Sequence, residues 1–205
     1  PIAQPAKSPR TSLRRKLTLA AVVVCLFFAL LEGVLAICGV ETLSATDDPY
    51  VGFAPGFPLF EEQQQSTGQV VMQTTSAKLD YFNRQQFASP KPAGTYRVFC
   101  LGGSTTYGRP YDDATSFAGW LRELLPEVDR SQQWEVINAG GISYASYRVA
   151  AVMEELSQYQ PDLFIVYTGH NEFLENRTYS ELIADPPSQR KLVATLAKTR
   201  TFSAL

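Results

Sequence analysis

The sequence predicts an α/β protein: a parallel sheet covered by helices, preceded by one helix that crosses a membrane. Three observations predict it. From Tyr96 onward, apolar runs of strand length alternate with stretches of helical period. Three of those runs end in small or polar residues, GGSTT, NAGG and GHNE. Residues 17–40 form one long apolar run that a single acid, Glu32, interrupts.

The elements are taken in chain order. Residues 1–16 form a basic tail with Lys7, Arg10, Arg14, Arg15 and Lys16 and no acid. The run LTLAAVVVCLFFALLEGVLAICGV follows, from Leu17 at its start to Val40 at its end. A helix of about 20 apolar residues spans a bilayer, so the run is long enough. The next basic residue is Lys78. Basic charge on one side alone places the tail in the cytoplasm and exports everything after Val40. A cleaved signal peptide is the alternative. The length of the run and the lack of a clean small-x-small site stand against it, and LAIC puts bulky Ile37 where a lipoprotein signal needs a small residue. Glu32 lies in the outer half of the span. It reads either as a tolerated acid near the interface or as a polar contact with a neighbouring transmembrane helix.

Residues 41–95 change character. DDPYVGFAPGFPLFEEQQQSTG is rich in Pro, Gly and aromatics and has no helical period. QVVMQTT and KLDYFN are expected as short strands of a hairpin, and ASPKPAGTY as a turn. This stretch reads as an exported connector that packs on the main domain.

The domain proper, residues 96–205, begins with the strand YRVFCL. SFAGWLRELL is a helix with Phe117, Trp120, Leu121 and Leu124 at helical spacing. QWEVIN is a second strand. ASYRVAAVMEELSQY is a helix with Val149, Val152, Met153 and Leu156 on one face. PDLFIVYTG is a third strand, and RKLVATLAKT is a later helix. Such alternation implies a parallel sheet with both faces covered. Its ligand site is expected at the carboxyl ends of the strands. Glu123, Glu154 and Glu155 read as solvated acids on amphipathic helices.

Composition sets the frame. With 205 residues, 45% hydrophobic and 19% charged, the chain suits one medium domain plus an extra element. A net charge of −2 supplies no global field for nucleic acid, so no nucleic-acid partner is expected. Cys25, Cys38 and Cys100 have no C-x-x-C partner, which excludes a zinc or disulfide framework, and all three read as small hydrophobes.

The loop LGGSTTYG, between the first strand and a helix, admits three readings. A phosphate loop needs G-x-x-x-x-G-K-[ST], and here Arg109 and Pro110 stand in the last two places. An α/β-hydrolase elbow needs G-x-S-x-G, and Thr106 fails its last position. A serine nucleophile with an oxyanion hole accounts for all three strand ends: a hydroxyl, a close-approach glycine and an amide donor.

GGSTT, NAGG and GHNE, in this order, resemble the first three blocks of the SGNH, or GDSL, hydrolase family. Gly103 stands where that family's first block has an acid. The resemblance covers residues 96–178. It implies a flavodoxin-like three-layer α/β/α fold, here partial. It implies attack of Ser104 on an acyl ester, with an oxyanion hole made by the Ser104 N–H, the Gly140 N–H and the Asn171 side chain. Gly103, Thr105 and His170 would border the pocket. No metal and no cofactor is implied. The layout is similar to bacterial membrane-anchored members, which implies the inner membrane, a periplasmic main domain, and the lipid bilayer and other membrane-protein subunits as partners.

The family's last block, D-x-x-H, supplies base and acid, and this chain has one histidine, His170. The sequence therefore admits two readings: part of a longer protein, or a shortened and inactive relative. Its function is correspondingly either an exported serine esterase or acyltransferase, or a non-catalytic accessory subunit of a respiratory or photosynthetic membrane complex.

Overall fold

The computed structural model describes residues 12–54, 56–65 and 68–204; most of the basic tail, with Lys7 and Arg10, lies outside them. Helix α1 (Leu13–Ile37) begins at Ser12, whose hydroxyl accepts the Arg15 N–H. Its best window has a mean hydropathy of 2.7, and among the described residues it is the one helix long and apolar enough to cross a membrane. None of its residues is buried in the protein, as expected of a helix whose partner is lipid. A short turn, α2 (Leu43–Thr46), leads into the connector.

The connector builds its own antiparallel sheet, β1 (Phe60–Gln64), β2 (Val70–Thr74) and β3 (Gln86–Ala88), in that order across the sheet. β1 pairs with β2. KLDYFN, expected as a strand, is instead a tight turn that starts at Ser76–Lys78. The cause is Lys78, which is buried and ion-paired with Asp48, so the chain curls around it through local bonds from Lys78 N to Thr75 O and from Phe82 N to Lys78 O.

The main sheet is parallel, with β4 (Thr95–Gly102) at its centre, β5 (Gln133–Gly140) on one side and β6 (Leu163–Tyr167) on the other. β4 alternates. Phe99 and Leu101 pack with Ile137, Val149, Val152 and Leu156 and with the connector's Phe60 and Phe87. Val98 and Cys100 pack with Ala118 and Val136. The first face is covered by α5 (Ser146–Leu156) and the small sheet, the second by α4 (Phe117–Val128). Burial pushes the Cys100 thiol up to about 12, so it is an inert core group. α3 (Ser104–Tyr107), α6 (Glu175–Thr178), α7 (Ser180–Ala184), α8 (Pro187–Leu196) and α9 (Arg200–Ser203) complete the fold.

Three side-chain expectations are corrected. Trp120 and Leu124 are 58% and 52% exposed; small Ala118 lets α4 approach the sheet by a different face, with Leu121 and Leu125 beside it, while Gly119 lies against the backbone of Asp113 and Ala114. Met153, expected on the buried face of α5 with Val149, Val152 and Leu156, is exposed, and Arg148 joins that face in its place. Glu155 is not solvated: it accepts the Leu59 N–H at 2.8 Å and the Phe60 N–H at 3.3 Å, fastening the connector to α5.

Burial holds the Glu155 carboxyl above its ordinary 4.5, against the lowering effect of those two amides and of Lys78. The folded chain therefore holds this proton more tightly than the unfolded one. The contribution to stability is fully present below pH 4.5 and is lost as pH rises through the folded-state value. Glu155→Gln keeps an acceptor for both amides. It is expected to flatten the decline of stability above pH 4.5, read from urea unfolding at stepped pH. An unchanged slope would show that Glu155 contributes nothing to it.

Candidate functional site

Register brings the three strand ends to one edge. Gly102 lies beside Gly140 on one side and beside Tyr167 on the other. The two glycines that follow the β4 core are required by close approach. A Cβ on Gly102 would come within 2.2 Å of Tyr167 O and of Thr106 Oγ1, and one on Gly103 would lie 2.4 Å from Asn171 Nδ2. The β6 loop thus crosses directly over the start of α3.

Ser104 opens α3 and is half-buried, while Thr106 is fully buried beneath it. The first N–H groups of a helical turn have no partner inside it, so they point outward as donors. A cleft of about 90 Å³ forms here, lined by Gly103, Ser104, Thr105, and residues 167–171. Asn171 is 8% exposed, and its Nδ2 donates to Tyr144 O at 2.8 Å. The second hydrogen of that amide is left over for a ligand. Glu172 secures the loop from the other side, accepting from Ser146 N at 2.7 Å and Ser146 Oγ at 3.0 Å.

Ser104, Asn171, Gly103, Thr105 and His170 therefore share one cleft. Gly140 does not join them. Its N–H donates to Asn138 Oδ1 at 3.0 Å, and it does not line the cleft. The expected second oxyanion donor is engaged inside the protein. The reason is Asn138, which is 1% exposed. Its Nδ2 donates to Thr106 O at 2.9 Å and Asp113 Oδ1 at 2.7 Å, tying β5 to α3. Asn138 and Tyr144 are the positioning residues that motif reading misses. An asparagine inside an apolar strand run is the available signal, because a buried amide must find partners.

His170 is exposed, and the neighbouring Glu172 carboxylate is committed to Ser146 and Thr168. No base–acid pair stands at Ser104 among the described residues. The cleft can present the Ser104 hydroxyl to an acyl carbon and the Asn171 amide to its oxygen, and among the described residues no base is hydrogen-bonded to that hydroxyl. A larger hollow of about 530 Å³ lies between the connector and α5, lined by Phe57, Lys78, Tyr144 and Glu155 among others, and none of the expected site residues reaches it. No family model matches this chain, and no curated protein matches it significantly.

Proposed function

We propose that this is a membrane-anchored SGNH/GDSL-type serine hydrolase-like protein whose cleft takes the acyl oxygen of an ester, for hydrolysis or acyl transfer, at very low rate in this chain. One observation carries the reading: Asn171 Nδ2 stands directly over Gly103, next to Ser104, at the carboxyl edge of a parallel sheet. Donors aimed at a developing oxyanion are a large term in acyl transfer. The finer expectations, a flavodoxin-like SGNH fold, a cytoplasmic N-terminus in a bacterial inner membrane and a periplasmic domain, rest on the motifs and on the basic residues ahead of α1. Purified chain assayed with an activated ester is expected to exceed the water rate by about 10³–10⁴-fold, the residue left when a triad member is missing. Rates near water would remove the enzyme reading.

A second reading is favoured by β6. Leu163, Val166 and Tyr167 on this edge strand are 42%, 49% and 58% exposed. Bare apolar edges in parallel sheets call for cover. As a non-catalytic subunit of a membrane complex the chain would find that cover in a partner subunit, and it would show no ester turnover.

A further inference from the structure

Buried polar groups find partners, and one that lacks a partner marks a place for a ligand. Glu32 finds its partners within the chain: its carboxylate accepts Arg200 N at 2.7 Å, Thr201 N at 3.0 Å and Thr201 Oγ1 at 3.0 Å. The polar contact expected with a neighbouring helix is thus made with the chain's own α9.

The hollow of about 530 Å³ between the connector and α5 is different. Tyr144 lines it and is 2% exposed, yet its hydroxyl makes no hydrogen bond among the described residues. The ring is held in place, with Phe82 edge-on at 4.9 Å between centroids and the Arg148 guanidinium 4.3 Å from the ring centre. The hydroxyl reaches Gly52, where a Cβ would collide with it, and Gly52 lines the hollow too. Burial keeps the proton on this phenol, so it can donate as well as accept. Lys78 also lines the hollow and is 4% exposed. Its ammonium has three N–H groups, of which Asp48 is the one acceptor among the described residues. Glu155 gives Oε1 to the two connector amides and keeps Oε2 without a partner among the described residues.

Charge narrows the ligand. Lys78 faces Asp48 and Arg148 faces Glu175, so each buried cation is already neutralised. Glu154 and Glu155 line the hollow and turn an anion away. Lys78 turns a cation away, and so does Lys198, whose Nζ lies 3.6 Å from where a Cβ on Gly56 would stand at the hollow's edge. A neutral molecule remains, one that donates and accepts at neighbouring atoms. Hydroxyl groups do both, and several on one ring can meet a phenol, an ammonium and a carboxylate together. Apolar Phe57, Leu59 and Val152 complete a lining of mixed character that suits the C–H face of such a ring.

We propose that this hollow binds one neutral sugar ring, free or at the end of a glycan, held by Tyr144 Oη, Lys78 Nζ and Glu155 Oε2. The site is separate from the Ser104 cleft and does not depend on the ester reading.

The test uses the full chain in lipid nanodiscs, which avoid detergents with sugar headgroups. Glucose, galactose and mannose are titrated and read by ligand-observed NMR. At least one is expected to bind saturably. The amino sugar and the uronic acid of that hexose should bind about tenfold or more weakly, because each brings a like charge to the site. Tyr144→Phe should weaken binding about three- to tenfold, the worth of one hydrogen bond. Ala151 is exposed at the hollow's edge on α5, so Ala151→Trp should block the site without touching the core. Ser104→Ala should leave the affinity unchanged. Disaccharides ending in the same ring separate the two sources: tighter binding marks a glycan end, weaker binding a free sugar. The proposal is overturned if no hexose binds saturably, if the charged analogues bind equally well, or if Ser104→Ala abolishes binding. Binding that a folded Ala151→Trp leaves intact overturns it as well. Should that variant lower the unfolding midpoint, Tyr144→Phe decides, and an unchanged affinity there overturns the proposal.

Discussion

Arg148→Met is expected to destabilise the protein by about 3–5 kcal/mol, the range for breaking a buried ion pair from one side. Arg148 is 1% exposed. It donates to Val51 O at 2.7 Å and Ser143 O at 2.6 Å and pairs with Glu175, which is 4% exposed. Its guanidinium lies 4.3 Å from the ring centres of both Phe53 and Tyr144 and 5.0 Å from that of Tyr179. One side chain thus joins the connector, the loop after β5, α5 and α6. Methionine fills much of the volume but leaves a buried carboxylate without its cation and two carbonyls without the Arg148 donors. Urea unfolding in detergent gives the loss. Adding Glu175→Gln should recover part of it by neutralising the stranded carboxylate, a coupling that a double-mutant cycle isolates. A loss below about 1 kcal/mol would show that water reaches Glu175 and that the pair is not buried in solution.

Asn171→Ala is expected to slow reaction at Ser104 by about 10²–10³-fold, the cost of removing one oxyanion donor. The amide has two hydrogens; one is fixed by Tyr144 O and the other is available above Gly103. Gly140 N is committed to Asn138, so in the proposed reaction Asn171 would carry more of the oxyanion stabilisation than in a three-donor hole. The substitution also removes a buried hydrogen bond, so the unfolding midpoint must be measured beside the rate. A change in rate smaller than about threefold in a folded variant would mean that the acyl oxygen sits elsewhere.

The central part of the fold is legible because burial on both faces writes itself as apolar runs. VFCL in β4 and the alternation of strand and helix after Tyr96 need no knowledge of distant partners. The connector is less legible because its structure depends on such partners. FEEQQ becomes a strand through pairing with β2 while four of its five residues stay exposed, so no apolar pattern marks it. KLDYFN carries the alternation of a strand and yet turns, because Lys78 finds Asp48 thirty residues away. On α4 the periodicity puts Trp120 and Leu124 inward, but Ala118, which looks like a gap, is the residue buried against the sheet. The site follows the same logic. Ser104 and Asn171 are named by local motifs at strand ends. The direction of the Gly140 N–H depends on a side chain two residues earlier, which spacing does not encode.

In the proposed reading Ser104 is a weakly activated nucleophile beside the Asn171 amide, and His170 is not its base. Exposing the full folded chain to a serine-directed fluorophosphonate, with adducts mapped by peptide mass spectrometry, tests this most directly. The expected result is a slow, single adduct at Ser104, absent in Ser104→Ala, slowed about 10²–10³-fold in Asn171→Ala, and unchanged in His170→Ala. No adduct at Ser104 after prolonged exposure, or rapid labelling that His170→Ala abolishes, would contradict it.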